Sequence, residues 1–452
     1  MENINSFLKF LKSNGRTAKA GKQVIYSFGL RSISIVISLL YVPLMLSYLS
    51  QEKYGIWLTL TSILGWFSFF DIGLGNGLRN NLAKAFSSGD LGLGRKYVST
   101  TYAILICIFS FILFIFHISN FFLNWNSILN TQTIANSELY ILTSIVFSFF
   151  LIRFVVALIS VVYLADQKSS ISHFISTIGS LLSFILVFLL TYSSIKENLI
   201  LLGSIVSGIP AVIFIIISII SFTGKYRDIR PTLKEIDFKL SKDLMNLGAK
   251  FFFLQICSIV IFSTSSFFIA QFYGPKEVVA YNIVFTYFQI PIMVFSIVLS
   301  PVWSAVTDAH MKADFVWLKK TIKQLNILSG LFSFVIVLML VFSQQIFKIW
   351  LNDKVLITYD LSIVMAFYTI IQIWIAPYSN FINGFGKINL TMILSFLGIL
   401  VYLILIYLFS NLFASSTGVV LAIIGTSIIG SVTQPWQTYK ILNRTAKGIW
   451  NN

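Results

Sequence analysis

The sequence predicts an all-α polytopic membrane protein, and two observations lead to this fold class. Of the 452 residues, 57% are hydrophobic and only 11% are charged, whereas soluble domains carry about 25% charged residues. The apolar runs are also long and continuous, close to the roughly 20 residues that a helix needs to cross the hydrocarbon core. Barrel strands would give short alternating segments instead. Helices are therefore the expected spanning elements.

The apolar windows predict twelve transmembrane helices joined by short loops. Basic residues precede the first window, and the window itself lacks a convincing small-residue cleavage site. We therefore expect it to be a retained span rather than a signal peptide. The windows cover residues 24–48, 54–78, 98–119, 137–165, 171–194, 199–222, 247–273, 278–305, 323–347, 359–383, 388–410 and 416–440.

The basic residues between the spans predict the orientation of the chain. With a cytoplasmic N-terminus, most of the 32 Lys and Arg fall in the tails and the even-numbered loops. Because such loops stay on the cytoplasmic side, both termini are expected to be cytoplasmic. The net charge of +16 therefore reflects topology, and no nucleic-acid partner is expected. The odd-numbered loops carry only Lys53, Lys196, Lys276, Lys348 and Lys354.

The second span continues into a polar stretch that is unusual for a membrane helix. A continuous helix from Tyr54 to Phe86 would be about 50 Å long, which exceeds the roughly 30 Å hydrocarbon core. We expect this helix to project into the cytoplasm. Asp71, Gly75 and Arg79 are spaced at i, i+4 and i+8 and so lie close to one face. An interfacial ion pair at a helix end is the simpler interpretation of the two charges.

A weak internal repeat relates the two halves of the chain. It aligns the turn at Asp90 with the turn at Asp314, and it places Arg31 on Gln255. Parallel repeats of this kind are related by a pseudo-twofold axis along the membrane normal, as in transporters that rock two bundles about a central site. The repeat predicts an amphipathic N-terminal segment, an N-lobe, a cytoplasmic linker, a C-lobe and a cytoplasmic tail at residues 1–23, 24–222, 223–246, 247–440 and 441–452.

The linker is predicted to form an amphipathic helix on the inner leaflet. Leu233, Ile236 and Leu240 recur at helical spacing beside Lys234 and Lys239. The N-terminal segment has the same pattern of apolar residues between lysines. Both segments are expected to contact membrane lipids.

The sequence carries no catalytic or nucleotide-binding motif, so no enzymatic activity and no cofactor are expected. The three histidines, His117, His173 and His310, are scattered, and no metal site is predicted. Cys107 and Cys257 fall inside predicted spans, where small apolar residues pack. Without a nucleotide domain, transport would depend on an ion gradient, the membrane potential or the substrate gradient.

Arg31 lies on a polar face of the first span. It shares this face with Ser27, Ser34 and Ser38, at spacings of i, i+4, i+7 and i+11. A continuous polar face predicts a wet cavity rather than lipid. The alternative is an arginine that snorkels to the inner interface.

Arg153 lies deep in the fourth span among apolar neighbours. A charge at this depth costs about 2.5 to 3.5 kcal/mol on insertion scales and normally faces a wet interior. A guanidinium binds phosphate with a bidentate fork, so Arg153 is a candidate anchor for a pyrophosphate. The alternative is a buried structural ion pair, with Asp71 as the nearest candidate partner by depth.

The second half carries amide side chains where the first half carries arginines. Gln255, Gln289 and Gln372 lie in its spans with several aromatic rings. Amides donate and accept hydrogen bonds, and flat rings pack on pyranose faces, so this set suits a sugar. Each amide taken singly is equally well explained as a contact between helices.

Five segments of the sequence resemble the polysaccharide transporter family, the Wzx-type flippases of O-antigen and capsule repeat units. In the first half they are YGIW, DIGLGNGLRNNLAKAFSSGD and RKYVSTTY, at Tyr54–Trp57, Asp71–Asp90 and Arg95–Tyr102. In the second half they are PVWSAVTDAHMKADFVWLKK and NGFGKINL, at Pro301–Lys320 and Asn383–Leu390. The first-half block is the most specific, and the similarity extends over the whole chain.

The resemblance implies twelve helices in two six-helix lobes around a central cavity, in the bacterial inner membrane. It implies export of an undecaprenyl-pyrophosphate-linked oligosaccharide, with the polysaccharide polymerase machinery as a further partner. In such a cationic lumen, the matching positions are Arg31, Arg79 and Arg153. Asp71 and Asp308 are the candidate acids for ion coupling or gating. The glutamines of the second half depart from an evenly cationic cavity.

Two other functions remain open from the sequence. A multidrug or cation antiporter of the same superfamily would need acids at mid-depth, whereas Asp71 and Asp308 lie toward the inner end. A membrane-embedded glycosyltransferase or polymerase would need a catalytic residue in a large external loop, and the loops are short. The sugars of the repeat unit cannot be predicted.

Overall fold

The computed structural model describes residues 16–69, 74–166, 168–241, 260–261, 264–413 and 415–451. These residues form helices and turns, and no strand occurs among them. By packing, the chain divides into two compact units, each built from more than one segment. The first unit comprises Met1–Leu49, Phe67–Ile128 and Gln132–Phe252, and the second comprises Ser50–Trp66, Leu129–Thr131 and Phe253–Asn452.

The first unit is a bundle of seven long or medium helices within its described part. α1 packs on α7, α5 packs on α8, and α3 packs on α4 and α6. Its helices are α1 Arg16–Tyr48, α3 Leu74–Ser88, α4 Leu91–Phe122, α5 Asn136–Val156, α6 Leu158–Ala165, α7 Ser169–Thr191 and α8 Leu199–Thr223.

The second unit centres on two of its longest helices in the region that the structure describes. α10 packs on α2, α9 and α13, while α13 also packs on α11 and α15. Its helices are α2 Gln51–Gly65, α9 Ser265–Tyr273, α10 Pro275–Met311, α11 Phe315–Val341, α12 Ser343–Leu351, α13 Tyr359–Phe385, α14 Asn389–Phe413 and α15 Ser416–Leu442.

Ten stretches of the described chain are long and apolar enough to cross a membrane. They coincide with ten of the predicted spans, and the all-α polytopic fold is confirmed. The predicted second span is interrupted, and most of the predicted seventh span, residues 247–273, lies outside the described residues. The count of twelve and the predicted domain boundaries therefore stay predictions.

The expectation of one continuous helix from Tyr54 to Phe86 is wrong. α2 ends at Gly65, a 3-10 turn follows at Trp66–Phe69, and α3 begins at Leu74. The two helices pack in different units: α2 contacts α9 and α10, whereas α3 contacts α4 and α6. A single straight helix could not make both sets of contacts, so tertiary packing overrides the local helical pattern here.

Close packing against Pro275 holds α2 in the second unit. Gly274, with a φ of 88°, ends α9, and Pro275 opens α10 at the first helical position, where a proline fits. A Cβ at Gly55 would lie 1.8 Å from the Pro275 carbonyl oxygen. The Gln51 side chain also donates to the Lys276 carbonyl at 3.2 Å. Only glycine lets the two backbones approach this closely.

The linker after α8 does not form the predicted amphipathic helix. Its described part, up to residue 241, contains three short 3-10 turns, and Leu233 is 88% exposed. The turns are Arg227–Ile229, Leu233–Glu235 and Phe238–Leu240. The N-terminal amphipathic pattern before residue 16 lies outside the described residues.

Side chains of α4 accept hydrogen bonds from backbone amides of the linker, in place of the carbonyls that would accept them in a helix. Ser99 Oγ accepts from the Thr232 amide at 3.0 Å, and Thr100 Oγ1 accepts from the Asp237 amide at 2.9 Å. Ile229, in the first turn of the linker, is buried. Because side chains from another helix satisfy its backbone, the linker can remain irregular.

A polar cluster fixes the start of the linker. The Tyr226 hydroxyl donates to Asp166 Oδ2 at 2.7 Å, and the ammonium groups of Lys168 and Lys225 pair with the same oxygen. Burial, and then the hydrogen bond to Asp166, raise the pKa of the Tyr226 hydroxyl. This phenol therefore stays protonated and remains a donor.

We expect Gly55→Ala to destabilise the protein, because the new methyl group would collide with backbone that cannot move aside. Overpacking typically costs about 1 to 3 kcal/mol, and a backbone clash lies at the upper end. The melting temperature of the detergent-purified protein should fall by several degrees. Gly330→Ala is the control, since a Cβ there meets nothing within 4 Å in α11. Equal melting temperatures for the two variants would contradict the packing described.

Candidate functional site

Arg153 lies in the last turn of α5, immediately before a break in the helix. α5 ends at Val156, Ala157 forms the break, and α6 starts at Leu158. The Ser218 hydroxyl on α8 donates to the Val156 carbonyl at 3.3 Å, and so satisfies an acceptor at the break. The carbonyl end of a helix carries partial negative charge, which stabilises a guanidinium at this position.

Arg153 lines a cavity of about 380 Å³ inside the first unit. Gly75 of α3, Leu105 of α4, Phe150 and Phe154 of α5 and the start of α6 form its walls. Every lining side chain except Arg153 is apolar or absent. Arg153 is exposed, and within the described part of the chain no hydrogen bond or ion pair holds its guanidinium. As far as the described residues define it, the cavity is apolar with Arg153 as its one cation.

Arg79 does not line this cavity. α3 buries Leu74, Leu78 and Leu82 on one face and exposes Arg79 and Lys84 on the other. Leucines at i, i+4 and i+8 give the helix this amphipathic character. The structure thus separates Arg79 from Arg153, although both lie in the first unit.

Arg31 lies one helical turn from a polar contact between α1 and α7. Ser34 Oγ lies 2.9 Å from Thr177 Oγ1, so part of the predicted polar face contacts a neighbouring helix. The Arg31 side chain is exposed, and it lies close enough to His173 for an electrostatic interaction. Ser38 bonds to its own helix at the Ile35 carbonyl, and the Ser27 side chain is not described.

A second cavity, of about 220 Å³, lies inside the second unit between α13, α14 and α15. Its walls combine aliphatic side chains with hydroxyl and amide groups, and none of the described lining residues is charged. The amides come from Gln372 on α13 and from Gln434 and Gln437 on α15. This chemistry differs from that of the Arg153 cavity.

The amides predicted from the sequence have different surroundings. Gln372 lines the second cavity and donates weakly to Ser427 Oγ at 3.5 Å. Gln289 is half-buried in α10 and is not among the lining residues of this cavity. Gln255, Asp71 and the side chain of Asp308 lie outside the described residues, so their predicted roles stay predictions.

Sequence reasoning missed most residues of the second cavity. Ser379 donates to Gln434 Oε1 at 2.6 Å, and Thr391 and Gln437 line the same space. The available signal was a small and polar stripe on the last span, where Ser427, Gly430, Gln434 and Gln437 recur at i, i+3, i+7 and i+10.

Solved structures with a similar fold include a multidrug resistance transporter and a second transporter of the same superfamily. An inward-facing MATE family transporter of the MOP superfamily aligns with a TM-score of 0.74 at 13% identity, covering 94% of this chain and all of the other. A MOP superfamily transporter from Pyrococcus furiosus, described as having a binding pocket of reverse polarity, aligns with a TM-score of 0.66 at 13% identity over 95% of this chain and 97% of the other. At these identities the likeness shows the fold.

Relatives with a similar sequence are assigned to O-antigen export or transport. A Yersinia pseudotuberculosis protein assigned to O-antigen export is 24% identical over 380 residues, covering 80% of this chain and 83% of the relative. A Salmonella typhi protein assigned to O-antigen transport is 23% identical over 364 residues, covering 78% and 81% of the two chains.

Two family models match the sequence. The MatE model covers residues 251–408. The model for polysaccharide biosynthesis proteins covers residues 20–306, which is more than half of the chain. The chain is thus a polytopic membrane protein that belongs to the polysaccharide biosynthesis protein family.

Proposed function

We propose that this protein is a flippase that moves undecaprenyl-pyrophosphate-linked oligosaccharide repeat units from the cytoplasmic to the outer leaflet of the bacterial inner membrane by alternating access. The observation that carries the proposal is the apolar cavity in which Arg153 is the one polar side chain among the described lining residues. Assignment of the Yersinia and Salmonella relatives to O-antigen export and transport supports the same substrate class.

The cavity has the chemistry that an anionic lipid needs. Its apolar walls accept hydrocarbon, while the guanidinium can bind a phosphate through two parallel hydrogen bonds. At low dielectric, a charge without a counter-ion is costly, and no described residue pairs with the Arg153 guanidinium, so an anion entering the cavity is favoured over a neutral group. A pyrophosphate attached to a polyprenyl chain combines both features in one molecule.

Export of a cation fits the described cavities less well. A carboxylate in the cavity would favour a cation most strongly, and neither of the two cavities has an acidic residue among its described lining residues. The Arg153 guanidinium would repel a cation directly. The MATE-like fold is therefore compatible with a different cargo, since fold does not determine substrate.

We expect Arg153→Ala to reduce export of surface polysaccharide by about ten- to a hundredfold. Hydrogen bonds to charged groups contribute about 1.5 to 3 kcal/mol each, which corresponds to this range. Arg153→Lys keeps the charge but loses the planar fork, so partial activity should remain. The measurement is surface polysaccharide per unit of inserted protein in a strain that lacks the chromosomal gene.

Ser218→Ala is the matched control for this experiment. It removes the hydroxyl that caps the Val156 carbonyl at the helix break and leaves the cavity charge intact. If Ser218→Ala and Arg153→Ala lower the amount of folded protein equally, and export per inserted protein is normal in both, then Arg153 is structural and the anchor role is excluded.

The charge distribution predicts that both termini are cytoplasmic. In a chain without Cys107 and Cys257, a membrane-impermeant thiol reagent should label Ser127→Cys and Lys354→Cys from outside and should not label Ser88→Cys or Lys225→Cys. All four side chains are exposed in the structure, so labelling reports the side of the membrane rather than burial. The reverse labelling pattern would refute the proposed topology.

A further inference from the structure

The cavity between α13, α14 and α15 has no role in the proposed anchoring of pyrophosphate. We propose that it is a glycan subsite, which binds one uncharged sugar residue of the transported oligosaccharide. This inference rests on the proposed function and adds to it the part of the substrate that confers selectivity.

The polar groups of the cavity are the kind that recognise hydroxyls. The Ser379 hydroxyl donates a hydrogen bond to Gln434 Oε1. The Gln434 amide nitrogen remains a donor with no hydrogen-bond partner among the described residues. Gln372 reaches Ser427 only at 3.5 Å, the outer limit of a hydrogen bond. A ligand hydroxyl could replace that weak bond at little cost.

Two further polar atoms of the lining residues lack partners. Thr391 Oγ1 and Gln437 Oε1 are buried, and neither forms a hydrogen bond to any residue that the structure describes. A buried polar group without a partner costs about 1 to 3 kcal/mol in general. Structural packing alone would favour apolar side chains at these positions, and rotation of either side chain would turn its oxygen toward a polar ligand in the cavity.

The uncharged lining selects the class of ligand. A cation in the wall would favour a phosphate, and a carboxylate would favour a metal ion or an organic cation, but the described lining carries neither charge. A sugar ring instead needs donors and acceptors on some sides and aliphatic contact on others. Ile375, Leu394 and Ile429 supply the aliphatic contact.

Glycines provide the space for the ring. A Cβ at Gly398 would meet only Ile261, at 3.9 Å, and one at Gly430 would lie 3.6 Å from the Gln434 amide nitrogen. Both glycines line the cavity. A large side chain at Gly398 would therefore occupy the space without a backbone clash.

Binding to the full-length protein in nanodiscs tests this subsite. The probes are undecaprenyl pyrophosphate and the same lipid carrying one glucose, one galactose or one N-acetylglucosamine. The wild-type protein should bind at least one glycosylated lipid more tightly than the bare lipid. Gln434→Leu and Thr391→Val should each weaken binding of that glycolipid about three- to tenfold, and neither should change binding of the bare lipid.

Gly398→Leu should abolish the preference for the glycolipid by filling the cavity. Gln345→Leu is the matched amide control, because Gln345 is exposed on α12 away from the cavity lining, and it should bind like the wild type. Melting temperatures verify that each variant is folded.

The outcomes separate the two proposals. If the wild type binds neither bare nor glycosylated lipid, the proposed function fails and the subsite fails with it. If it binds all four lipids equally, or if the cavity variants change bare and glycosylated binding alike, the subsite is refuted while the flippase proposal stands. Arg153→Ala should weaken binding of all four lipids, which distinguishes the anchor from the subsite.

Discussion

A bilayer offers the backbone no hydrogen-bond partner, and this constraint explains where the chain departs from regular helix. At Ala157, between α5 and α6, the exposed carbonyl of Val156 receives the Ser218 hydroxyl of α8. The break is tolerated because a neighbouring helix supplies the missing donor. It also puts Arg153 at the carbonyl end of α5, where the helix dipole offsets part of the cost of a charge at that depth.

Outside the apolar spans, at the end of the first unit, backbone groups that pack against a helix also receive partners from side chains. Up to residue 241 the linker after α8 forms short turns, and Ser99 and Thr100 of α4 accept hydrogen bonds from two of its backbone amides. The Asp166 cluster holds the beginning of the linker through Tyr226. α4, α8 and the linker are therefore tied together by side-chain hydrogen bonds rather than by an apolar helix face.

The two described cavities differ in a way that the amphiphilic cargo proposed here would require. One has a guanidinium in apolar walls, and the other has amides and hydroxyls without any charge among its described lining residues. A charge and a set of neutral hydrogen-bonding groups have different solvation costs, so housing them in separate helix bundles keeps each environment chemically simple. The proposed cargo contains the same two kinds of group, a charged pyrophosphate on a lipid and a neutral sugar.

The sequence by itself determined the fold class, the approximate positions of ten spans and the place of Arg153 within a long apolar segment. These properties depend on the length of apolar runs and on single residues, which are local in the chain. Tertiary structure decided that the helix from Tyr54 ends at Gly65, because α2 packs through Gly55 on Pro275, more than two hundred residues later. It likewise brought Thr391 and Gln434 from different helices to one cavity. No local pattern encodes such contacts, since they arise only when residues distant in sequence compete for the same space.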